Sequence, residues 1–121
     1  MKTAKIVTEQ QCERLREEVA RLVMGWHAMS VPWAYSGATV CWHAEDGIAI
    51  VTQYAWRPDE DDRQNITVLE HMLTLGFDCS AELSNEEAVV VFSRHDCDGV
   101  PVSHDSRRIA ILLASIAALK S

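Results

Sequence analysis

The sequence predicts an α+β fold in the order α-β-β-α-β-β-α, a three-layer α/β/α sandwich around one four-stranded, mainly antiparallel sheet. Three observations predict it. From Ala55 to Gly76 an extended run stops at a proline and an acid-led amphipathic helix begins. The alternating stretch Phe77–Leu83 is followed by the apolar run AVVVF at Ala88–Phe92. Helical stripes stand near both ends of the chain. Three helices on one face of four strands would crowd, so both faces are used. The 121 residues fit a single domain, 1–121. A chain of this length buries roughly two thirds of its unfolded surface and needs no disulfide or metal to hold a core.

Thr8-Glu9-Gln10-Gln11 has the form of a capping box, so a first helix starts at Thr8. Cys12, Leu15, Val19, Leu22 and Val23 make its apolar face. Glu13, Arg14, Arg16, Glu17 and Glu18 make its wet face, and Gly25 ends it. His27 to Gly37, with Pro32, Trp33 and Tyr35, reads as an irregular connection. Ala38–His43 and Ile48–Tyr54 read as a hairpin turned by Glu45-Asp46-Gly47.

Pro58 cannot donate to a ladder and biases Arg57 away from helix, so the extended run ends near Trp56. Asp59 or Asp61 caps the central helix. Asp59, Glu60, Asp61 and Asp62 lie at the positive end of its dipole, each favourable by about 0.3–1 kcal/mol when exposed. Ile66, Leu69, Met72 and Leu73 form the stripe, and Gly76 is the left-handed stop. In Phe77–Leu83, the residues Phe77, Cys79, Ala81 and Leu83 face one way, as in a strand near an edge. Glu87–Ser93 is apolar on both faces and reads as a central strand. Arg94–Val102 reads as a polar loop. Ser103 or Asp105 then caps a third helix with Ile109, Leu112, Leu113, Ile116 and Ala117 as its stripe, widened by Ile111 and Leu119. A helix apolar over most of its girth is either deeply buried or shared with a second copy, which makes homodimerisation through the C-terminal helix an expectation.

A net charge of −7 disfavours direct nucleic-acid binding, which needs clustered cations, and suits a basic protein partner. The longest apolar run, Ile109–Ala114, is far short of a membrane span, and Met1–Val7 has no secretory apolar region. Cys12, Cys41, Cys79 and Cys97 form no CxxC pair and are expected as thiols, so neither a cofactor nor a metal is expected.

Candidate sites divide between structural and functional readings. The acid run 59–62 can bind a cation or imitate a nucleic-acid backbone, but no glycine-bearing calcium loop is present, and capping and solvation are favoured. His95, Asp96, Cys97, Asp98, His104 and Asp105 are sound ligand types at a spacing that matches no known zinc pattern. Cys41 and His43 share a strand face, as a nucleophile and its base would, without an identifiable orienting group. Trp33, Tyr35, Trp42, Tyr54 and Trp56 form either an aromatic binding surface or core under a covering helix, and core is favoured.

Several short stretches carry a resemblance. They are Val23-Met24-Gly25-Trp26, the tryptophan-bearing hairpin, Trp56-Arg57-Pro58 with its acid-led helix to Gly76-Phe77, Ala88–Phe92, and the alanine- and leucine-rich Arg108–Leu119. Together they resemble the phage ABA-sandwich domain family over nearly the whole chain. The resemblance implies a sandwich fold, a phage or prophage origin and action in the host bacterial cytoplasm, and it transfers no catalytic residues. The expected function is therefore binding rather than catalysis. The leading expectation is an inhibitor of a host defence complex, anti-CRISPR-like, with Trp33, Tyr35, Trp42, Trp56, Asp59, Glu60, Asp61 and Asp62 as binding residues. A binder of a nucleotide-like ligand, with Arg57, Arg63 or Arg94 nearby, and a structural phage component are the alternatives.

Overall fold

The computed structural model describes residues 8–33 and 37–120, with the side chains of 32–38 outside the description. The elements are α1 (Glu9–Glu18), a π-helical turn (Val19–Val23), β1 (His27–Trp33), β2 (Gly37–His43), β3 (Ala49–Thr52), α2 (Asp62–Thr74), β4 (Asp78–Leu83), β5 (Ala88–Ser93), β6 (Val102–His104) and α3 (Arg107–Lys120). The fold is α+β, but the strands form two three-stranded antiparallel sheets, β1-β2-β3 and β4-β5-β6, instead of one sheet of four. No helix among the described residues is long and apolar enough to cross a membrane.

Two strands hidden in expected loops make the difference. β1 contains Pro32, yet among the described residues it pairs only with β2, and a sheet edge tolerates the missing N–H. β6 is three residues long and adds to the free side of β5, with Val90 opposite Val102. Each hairpin thus takes its third strand from nearby sequence, the usual outcome for consecutive elements.

Local signals set the helix ends. Thr8 and Gln11 close the capping box in both directions. Asp61 Oδ1 accepts the Gln64 N–H at 3.0 Å, so Asp61 is the N-cap of α2. Gly76 ends that helix at φ +94°, where a side chain would be strained.

The buried faces depart from the expected stripes. The π turn holds one residue more per turn than an α-helix would and rotates the residues after it, so Val23 stays buried while Leu22 is exposed. On α2 the buried residues are Asn65, Val68 and Met72, whereas Ile66 and Leu73 are exposed. Asn65 belongs inside because its Nδ2 donates to the carbonyls of Pro58 and Arg108, at 2.9 and 3.1 Å.

The last helix, α3, is the centre of the core. It packs on β5 and β6, beside α2, and against the π turn. Ile109, Ala110, Leu112, Ala114, Ser115, Ile116 and Ala118 are buried, and Ser115 Oγ satisfies itself on the Leu112 carbonyl at 2.7 Å. Burial within its own chain accounts for the apolar girth of α3. Leu112 and Ile116 together contribute about 4–5 kcal/mol of transfer free energy. Ala88, Val90 and Phe92 of β5 meet this helix, and β5 is the central strand of its sheet. The register places Cys79, Ala81 and Leu83 on the same face, yet all of β4 is exposed, because among the strands α3 packs mainly on β5 and β6.

Candidate functional site

Where α1 meets the chain leaving β3, Glu13, Arg16, Glu17, Trp42, Gln53, Tyr54, Trp56 and Arg57 line a groove of about 380 Å3. Residues 13, 16 and 17 share one helix face by their three- and four-residue spacing. The opposite wall is set by how the chain leaves β3. Gln64 fastens residues 55–57 to α2, accepting the Arg57 N–H and donating to the Ala55 carbonyl. That places Trp56 inside, 3% exposed, with its Nε1 donating to the Arg16 carbonyl at 3.0 Å and its ring edge-on to Trp26 at 4.8 Å.

Arg16, expected on the wet face of α1, is instead 7% exposed. Its Nε and Nη2 donate to the two carboxylate oxygens of Asp59 at 2.6 and 2.9 Å. Further bonds run from Nη1 to Glu9 and from Nη2 to Glu60. The Asp59 bond raises the guanidinium above its already high ordinary value, against the opposing effect of burial. Such a fork satisfies both charges in a dry setting that a lone charge could not occupy. The sequence holds a signal for this: Cys12 and Ala20 stand one turn before and after Arg16, inside the apolar stripe.

The acid run 59–62 is spent on structure. Asp59 holds Arg16, Glu60 bridges Arg16 and Arg57, Asp61 caps α2, and Asp62 pairs with Arg108 at 2.9 Å. Arg108 also donates to the Asp59 carbonyl, tying α3 to this corner. Among the aromatics, Trp42 and Trp56 are core residues that also wall the groove, and Tyr54 is 81% exposed beneath the Arg57 guanidinium. Trp42 Nε1 is buried and has no hydrogen-bond partner among the described residues. The Trp33 side chain and all of Tyr35 lie outside the described residues.

The remaining candidates do not converge. No group of three or more His, Cys, Asp or Glu side chains among the described residues is placed to hold an ion. In the loop after β5, Arg94 and Cys97 close a tight turn, and His104 Nδ1 accepts the Ser106 N–H at 2.9 Å. Arg94 covers Phe77, away from the groove. Cys41 and His43 are both buried, and the imidazole bonds the Cys41 carbonyl rather than its thiol.

The chain matches no protein-family model, no curated protein and no solved structure, and nothing in these comparisons identifies the phage ABA-sandwich family.

Proposed function

We propose that the chain is a binding protein whose groove takes a flat, uncharged or weakly cationic heterocycle of about nucleobase size. The observation that carries this is a groove of ligand-sized volume walled by Trp42, Trp56 and Tyr54, with the Trp42 Nε1 N–H shielded from solvent and without a hydrogen-bond partner among the described residues. An unmet buried donor costs about 1–3 kcal/mol, which a ligand's acceptor atom recovers when it displaces the side chains that now shield the N–H. Tyr54 and Trp56 supply ring faces and edges, and Gln53 a further polar contact.

Charge selects within the nucleotide-like class. Glu13 and Glu17 line the groove and Glu60 stands beside Arg57, whose guanidinium already contacts Glu60 at 3.3 Å and Glu9 at 3.8 Å. A phosphate therefore meets carboxylates and a guanidinium already shared, so nucleobases and nucleosides are expected to outbind nucleotides. Thermal shift across a panel of bases, nucleosides and nucleotides tests this, with saturating ligand at 100 times its Kd adding about 2.7 kcal/mol. Trp42→Phe keeps an aromatic ring, removes the N–H and should abolish the ligand-induced shift. A panel without any shift, or a shift unchanged in Trp42→Phe, ends this reading.

A second reading is favoured by β4, whose six residues are all exposed and which, among the described residues, pairs on one side only, with β5. An open strand in a chain of charge −7 suits capture by a basic host protein complex, as the phage resemblance implies, in the bacterial cytoplasm. Pull-down from a bacterial lysate at physiological salt should recover a stoichiometric partner, and recovery of none removes this reading.

A further inference from the structure

We propose that His27 and His43 form a two-imidazole site for a borderline divalent transition metal, Cu2+, Ni2+ or Zn2+, on the face of the first sheet opposite Trp42. The two residues are directly paired across β1 and β2, and their ring centroids lie 6.0 Å apart. With metal–nitrogen bonds of about 2.0–2.1 Å, two imidazoles sharing one ion have centroids roughly 5–6 Å apart, so the strand pairing sets a suitable separation. The rings are stacked at 26°, and their in-plane lone pairs converge on one ion once the exposed His27 ring turns.

A second observation concerns the tautomer. His43 Nδ1 is 3.1 Å from the Cys41 carbonyl. A carbonyl only accepts, so Nδ1 carries the proton and Nε2 the lone pair. Metal-binding histidines are commonly oriented by this kind of outer bond. The ladder irregularity between Trp42 and His43 is of the kind that re-aims a side chain. His43 is 6% exposed and fixed, whereas His27 is exposed and can turn toward it.

The next pair along the same face is Met29 opposite Cys41. A thioether and a thiol beside two imidazoles make a soft-to-borderline donor set, which suits these metals over Mg2+ or Ca2+. With two ligands at hand, the remaining positions are open to water or to the sulfurs after rearrangement.

The test is titration of the full chain with each metal chloride against a chromophoric chelator at neutral pH, with thermal shift in parallel. The expected result is one ion per chain and affinity weakened at least about tenfold in His27→Ala. Because His27 is exposed, its variant should fold normally, and His27→Cys should restore binding. His95→Ala/His104→Ala, which removes the loop histidines, should bind as the parent does. No binding to the parent chain, or equal binding by His27→Ala, would overturn the proposal.

Discussion

Cutting the Asp59 carboxylate away from Arg16 is the sharpest test of how this molecule is held together. The side chains are 8% and 3% exposed, and the pair joins α1 to the entry of α2 across 43 residues of sequence. Asp59→Ala strands a buried guanidinium, for which the usual cost is about 3–5 kcal/mol. Arg16 keeps Glu9 and Glu60, both more than half exposed, so the lower figure of about 3 kcal/mol applies. For a chain of this length 1 kcal/mol corresponds to about 4 °C, so the midpoint should fall by about 12 °C. Arg16→Met should cost about as much, because it strands Asp59. The double variant should return to within about 1 kcal/mol of the parent, since an apolar pair removes both desolvation penalties. Urea unfolding of the four proteins closes the cycle. If Asp59→Ala costs under about 1 kcal/mol, or the two losses simply add, the pair is no buried lock between α1 and α2.

Four further outcomes concern single residues. Gly99→Ala should destabilise by about 3 kcal/mol, because φ is +80° and the new Cβ would collide with the Phe92 carbonyl oxygen. Gly47→Ala, at φ +87° with nothing within 4 Å, should cost only about 1–2 kcal/mol by urea unfolding, and equal losses would refute the steric account. Asp61→Ala removes the α2 cap and should cost about 1 kcal/mol, with hydrogen-exchange protection lost first at the Gln64 amide. Burial, then the Asp59 carboxylate, pushes the Cys12 thiol up, so the folded state favours the protonated form. That contribution is complete below the unfolded thiol value and fades as pH rises through the folded one. Stability should therefore decline above about pH 8.5, with a smaller decline in Cys12→Ser.

The parts of the fold that can be read along the chain depend on near neighbours. The Thr8–Gln11 box, the Asp61 cap, the Gly76 stop and the apolar β5 are decided by groups within a few residues of one another. β1 is obscured in the sequence because Pro32 signals a break unless its strand lies at an edge, and edge position is a property of the assembled sheet. β6 is obscured by its length of three residues. Of the groove, the tryptophans are visible as aromatics and Arg57 as a nearby base. Arg16, Glu13, Glu17 and Gln53 are not, since polar residues beside an apolar stripe or at a strand end read as solvent-facing.

Linear order suffices for the start of α1, both ends of α2 and the antiparallel hairpins, because capping and alternation are satisfied by bonds a few residues long. It fails at α3, where Ser106 Oγ accepts the Ile109 N–H in place of the expected caps Ser103 and Asp105, since residues 102–104 are drawn into β6. It takes the assembled chain to divide the strands into two sheets, place α3 at the centre, draw Arg16 and Asn65 inside and leave β4 bare. Ser115 and His43 find partners within three residues, but other buried polar groups rest on partners 40 or more residues away: Trp56 on the Arg16 carbonyl, Arg16 on Asp59, and Asn65 in part on the Arg108 carbonyl. A buried polar group is stable only where such a partner exists, and no local pattern records where the partner will be.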